Sequence, residues 1–187
     1  PFTRHFSYSI LTFAIRALWL GEQAATANRA LADNTAYYLA HPQAMQDRDS
    51  FYWPADLLCR IVEFFGSGGS RAPGRLDGET EGRILEMMWQ YVNDTSRLED
   101  AETRVSRTWH VHESENHHIQ RFYTLWHFSR LLDAVPTFAG RSFTDGTTAA
   151  EHHRAWTDYA AEYCRQRAMK GLFVEMANDG YGIHTLK

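Results

Sequence analysis

The stretch Trp109 to Tyr123, WHVHESENHHIQRFY, gathers four histidines, two carboxylates and several amide and guanidinium donors into a short segment. If Ser114 caps a helix, Asn116 and His117 fall in its first turn, where backbone N–H groups lack helical partners. Asn116, Gln120, Tyr123 and His127 then share one stripe, and His117, Arg121 and Thr124 its neighbour. An amide, an imidazole and a guanidinium at a helix start can hold and neutralise a carboxylate, because the donors and the local dipole both favour negative charge. Proton abstraction beside a carboxylate requires such neutralisation, since the carbanion is otherwise too basic.

On this reading Asn116 neutralises, His117 is the base candidate, and Tyr181 is a partner acid. Gln120, Arg121 and His112 contact the substrate, with Trp53, Trp109 and Trp126 as rings on which a sugar can stack. Plainer uses of the same residues stay open: His117 as a capping histidine, Arg121 paired with an acid on a neighbouring helix, Trp126 in the core. His152 and His153 are expected to be solvated on an exposed helix.

Metal binding is the rival chemistry. His110 and His112 lie on one side of an extended segment, and Glu113, His117 or His118 could complete a zinc-like coordination. The spacing does not match the helical His-Glu-x-x-His arrangement, so the primary expectation is a site without cofactor or metal.

The composition bounds the function class. A chain of 187 residues, 44% hydrophobic and 22% charged, can bury a core. The net charge of −4 gives no basic footprint for nucleic acid. The apolar segment Ile10 to Leu20 is broken by Arg16 and is too short to span a bilayer, so no membrane partner is expected. Aromatics at 14% fit either a large core or a cleft for flat rings. Cys59 and Cys164 read as buried free thiols. The chain carries no signal peptide, yet its start at Pro1 favours a secreted or periplasmic location.

Apolar residues recur at helical spacing and no run alternates with period two, which predicts an all-α protein. Ile10, Leu11, Ala14, Ala17 and Leu18 begin a helix that continues past Gly21 to Ala40, where His41-Pro42 stops it. Leu57 to Phe65 form a second helix, followed by a flexible break at Gly66-Ser-Gly-Gly-Ser70. Asp77-Gly-Glu-Thr-Glu81 starts a third, Ser114 a fourth ending before Pro136, and Asp145-Gly-Thr-Thr148 a fifth with Trp156, Tyr159, Tyr163 and Cys164 inward. Helices of similar length suggest stacked antiparallel hairpins. The turn-rich end, Asn178 to Lys187, reads as the lead-in to a further element.

Two segments carry a family resemblance. Ser114-Glu-Asn-His117, after a Trp-containing lead, resembles the Asn-His motif of the (α/α)-toroid polysaccharide lyases, the alginate lyase and heparinase-like group. Phe173-Val-Glu-Met-Ala-Asn-Asp-Gly-Tyr181 is similar to their helix-to-loop passage. The resemblance implies a single all-α domain over 1–187 that is the N-terminal part of an incomplete toroid, acting on an acidic polysaccharide by β-elimination. It makes Asn116 the neutraliser, His117 the base or its helper, and Tyr181 the acid. Glu115 departs from it, standing where the alginate lyases have a second asparagine, and an acid facing the cleft there repels a uronate. The alternatives are a glycoside hydrolase using Glu113, Glu115 or Asp179 as paired carboxylates, and a noncatalytic glycan-binding or scaffold protein.

Overall fold

The computed structural model describes residues 4–46, 51, 53–96, 98 and 115–170. Those residues are all-α, with an isolated bridge between Ser142 and Thr148 and no strand. The helices are α1 (Arg4–Leu20), α2 (Ala24–Ala40), α3 (Trp53–Phe65), α4 (Gly78–Thr95), α5 (Glu115–Ala134), the single turn α6 (Pro136–Ala139) and α7 (Ala149–Lys170), with a 3-10 turn at Pro42–Gln46. Two compact units divide the chain, Pro1–Tyr91 and Val92–Lys187. Among the described residues no helix is long and apolar enough to cross a membrane.

In the first unit, the apolar periodicity that runs through Gly21 does not make one helix. Gly21 and Gln23 both take left-handed backbone, with φ of 75° and 57°, and Arg75 donates to the carbonyls of Leu18 at 2.7 Å and Trp19 at 2.5 Å. A guanidinium on the last orphan carbonyls ends α1 and turns the chain into the hairpin α1–α2. Helix α1 packs on α2 and α3, burying Leu11, Leu18, Leu31, Leu58 and Phe65. Asn28 of α2 fixes the entry to α4: its Nδ2 donates to the Arg75 carbonyl at 2.9 Å, and its Oδ1 accepts from the Asp77 N–H at 2.9 Å. Asp77 in turn caps α4, accepting from the Thr80 N–H at 2.8 Å.

The glycine run after α3 is a tightly bonded turn, not the flexible break that its composition suggests. Ser70, Arg71 and Leu76 return their N–H groups to the carbonyls of Glu63, Phe64 and Phe65 at 2.8, 3.1 and 2.9 Å. The buried Glu81 of α4 accepts from the Ser67 N–H at 2.9 Å. Glycine is needed here for room: a Cβ on Gly69 would lie 2.5 Å from the Phe64 carbonyl oxygen, a backbone atom that cannot step aside. Gly69→Ala is expected to cost about 1–3 kcal/mol by overpacking, read as a lower urea midpoint. An unchanged midpoint would contradict this packing.

In the second unit, α5 packs along α7, and α6 packs on both. Phe122, Leu125, Phe128 and Leu132 are buried on α5, as are Trp156, Tyr159 and Tyr163 on α7. The start of α7 is a reciprocal cap: the Thr148 N–H donates to Glu151 Oε2 at 2.8 Å, and the Glu151 N–H reaches Thr148 Oγ1 at 3.4 Å. The hydrogen bonds from the Thr148 side chain and backbone hold the Glu151 carboxyl below its ordinary pKa.

Beneath this cap lies a buried polar chain. Trp156 Nε1 donates to Ser96 Oγ at 2.7 Å, Ser96 Oγ meets His152 Nδ1 at 2.7 Å, and His152 Nε2 meets Thr147 Oγ1 at 2.7 Å. Thr147 Oγ1 donates to Asp145 Oδ1 at 2.5 Å. Because a carboxylate only accepts, the threonine proton points at Asp145, so His152 donates from Nε2 to Thr147 Oγ1. His152 is fully enclosed, at 0% exposure, which corrects the expectation that it is solvated. Its neighbour His153 is half-buried. Cys59 is buried as expected, but Cys164 is exposed. The inward stripe of α7 runs through His152, Trp156, Tyr159, Tyr163 and Arg167. Residue 164 follows Tyr163 by about 100° around the helix and leaves that stripe.

Candidate functional site

Described from Glu115 onward, helix α5 carries Asn116, His117 and His118, which the sequence also places on a helix. His117, His118, Gln120 and Arg121 are all half-buried, neither sealed in the core nor fully solvated. The two polar stripes separate further along the helix. Thr124 and His127 are buried at 2% exposure each, and Thr124 Oγ1 donates back to the Gln120 carbonyl at 2.9 Å. Accessible polar groups therefore concentrate in the first two turns of α5.

Two rows of rings support this helix start. The first runs from His118 into α7: His118 Nε2 lies 2.5 Å from Tyr159 Oη, and the imidazole centroid stands 5.7 Å from Phe122 and 5.9 Å from Tyr163. Arg167, buried at 1% exposure, places its guanidinium carbon 4.1 Å from the Tyr163 ring centroid. The contact is a cation–π stack in a desolvated place, where such pairs are strongest.

The second row is more open. Tyr123 and Trp126 stack at 5.7 Å with 23° between planes, and Trp126 Nε1 donates to Thr157 Oγ1 at 3.0 Å. The Arg130 guanidinium lies 5.3 Å from the Trp126 ring and donates from Nη2 to His127 Nε2 at 2.8 Å. A guanidinium has no acceptor, so His127 is neutral with its proton on Nδ1. Burial pushes the His153 imidazole below its ordinary value, while Asp133 draws it up and Arg130 pushes it down. Trp126 is half-buried, an intermediate between the core and sugar-stacking roles open to it in the sequence.

The remaining candidates divide by position. His110, His112, Glu113, Trp109, Ser114, Asp179 and Tyr181 lie outside the described residues, and Glu115 and Asn116 are described in backbone only. Trp53 begins α3 in the first unit, half-buried, with its carbonyl accepting from Tyr8 Oη at 3.1 Å. Among the described residues no group of three His, Cys, Asp or Glu side chains is arranged to hold a metal ion.

Sequence reasoning missed Tyr159 and Arg167 as neighbours of the helix start. The signal was the spacing of four that His118 shares with Phe122, and Tyr159 with Tyr163 and Arg167, which lines up one row on each helix. The residues read as an all-α protein with an imidazole- and amide-bearing helix start. No family model, curated protein or solved structure matches the chain.

Proposed function

We propose that this chain is a polysaccharide-lyase-like protein that cleaves a uronate-containing glycan by β-elimination, as part of a larger (α/α) toroid. The observation that supports the reading is that α5 carries Asn116 and His117 on one helix with Gln120 and Arg121, and that His117, Gln120 and Arg121 are half-buried. The amide of Asn116 and the helix dipole neutralise the substrate carboxylate, and His117 is the base or its helper. Arg121 and Gln120 hold the sugar, and His112, Trp109, Trp53 and Tyr181 keep the roles their residue types suggest. The partner is an acidic polysaccharide.

Product analysis tests this reading. Incubation with polyuronates is expected to yield products with an unsaturated terminal sugar, seen as rising near-ultraviolet absorbance in step with new reducing ends. Reducing ends without absorbance indicate hydrolysis by paired carboxylates, and glycan binding with neither signal indicates a noncatalytic protein.

A further inference from the structure

We propose that His153 is an acid-sensitive element of the α5–α7 pair, which on protonation sets an imidazolium against the Arg130 guanidinium beside the Trp126 ring and loosens the packing there. The assignment begins with placement. His153 is half-buried on α7, and its ring centroid lies 5.7 Å from that of Trp126 on α5. The Arg130 guanidinium carbon lies 5.3 Å from the Trp126 ring centroid. One indole thus borders a permanent cation from α5 and a titratable ring from α7.

Two charges on α5 act on this imidazole in opposite senses. Asp133 favours the imidazolium and Arg130 opposes it, while partial burial, the largest influence, favours the neutral ring and holds it below its ordinary value. His127, the other imidazole beside Trp126 at 5.6 Å, meets Arg130 Nη2 through Nε2 at 2.8 Å. On α7 the residues one turn to either side, Ala149, Ala150, Trp156 and Thr157, are uncharged, and Arg154 is exposed about 100° further round the helix. Helix α6, Pro-Thr-Phe-Ala, brings no titratable group to the pair. The ionic surroundings of His153 among the described residues are therefore set by Asp133 and Arg130.

The effect on stability has a definite sign. Above the ordinary imidazole value of 6.5 the ring is neutral in the folded and the unfolded chain alike, and it imposes no penalty. As the pH falls below that value the unfolded chain takes a proton from solvent first, so stability is lost until the folded ring titrates in turn. The loss falls where α5 packs along α7, so acidification acts on the helix that also carries Asn116 and His117. This sensitivity belongs to the helix pair and holds whatever the chain binds.

The test follows histidine side-chain NMR of the whole chain through a pH titration, with the His153 signal assigned by its absence from His153→Gln. In the parent this signal is expected to titrate below 6.5. Arg130→Gln is expected to move the midpoint up and Asp133→Asn to move it down, each by about half a pH unit after solvent screening. Urea unfolding gives the second readout. Between about pH 7.5 and about pH 5 the unfolding midpoint of the parent is expected to fall further than that of His153→Gln, because glutamine cannot take up the proton. A His153 titration at or above 6.5 overturns the proposal. So does failure of either charge substitution to move it in its own direction, or a parent and His153→Gln that lose stability in step. Should Arg130→Gln fail to fold, since it also removes the contact with His127, Asp133→Asn and the unfolding comparison decide.

Discussion

Asn116→Ala is expected to lower kcat for β-elimination by about 10²–10³ while leaving the unfolding temperature unchanged. The size follows from where charge develops. Removing the proton beside a carboxylate spreads a second negative charge onto its oxygens, and donors fixed in advance meet that charge more strongly than they meet the ground state. Asn116 lies on α5, and if Ser114 caps that helix, as the sequence suggests, orphan backbone N–H groups add to its own amide. The loss should therefore fall on kcat, since a residue that binds ground state and transition state alike would change KM alone. Steady-state kinetics with a near-ultraviolet readout checks it. Unchanged kcat would remove Asn116 from the chemistry.

The second large effect is on stability. His152→Ala is expected to destabilise the protein by about 2–4 kcal/mol, because it leaves a cavity and strands buried polar partners. His152 has 0% exposure and carries the link between Ser96 and Thr147, with Trp156 Nε1 depending on Ser96 at 2.7 Å. Without the imidazole, Ser96 Oγ and Thr147 Oγ1 lose the partner they share and the connection from α7 to the Asp145–Thr148 turn is cut. Denaturant unfolding of the parent and the variant measures the difference, and a loss under about 0.5 kcal/mol, the range of an ordinary surface substitution, would contradict the account.

The fold was legible where a single helix face decides it. The caps at Asp77 and Thr148 and the end of α5 before Pro136 all follow from local chemistry, and the structure places helix boundaries at or near them. What the sequence hid depends on residues distant along the chain. The break at Gly21 needs Arg75 to take the carbonyls of Leu18 and Trp19, and the order of the glycine turn needs Glu81 to take the Ser67 N–H. His152 reads as solvated because it stands early on a helix taken as exposed; Ser96 and Thr147, brought in by folding, make its burial tolerable. Cys164 shows the same limit in reverse, since an apolar neighbourhood in sequence did not carry it inward.

The helix α5 itself was visible for a related reason, since Ile119, Phe122, Leu125, Trp126 and Leu132 recur at helical spacing, which is a local property. Its inner partners were not visible, because the approach of Tyr159 to His118 depends on the packing of α5 along α7. The chemistry proposed for this start turns on one physical claim: the first turn of α5 exists to neutralise a carboxylate.

Carboxyl reduction of the glycan tests that claim most directly. A polyuronate and its carboxyl-reduced counterpart, which keeps the sugar rings and linkages but carries neutral alcohols in place of the acids, are compared for binding and for elimination by the same protein. The account predicts binding and near-ultraviolet product from the polyuronate, and loss of both with the reduced glycan. Equal binding and equal cleavage of the two glycans would contradict it.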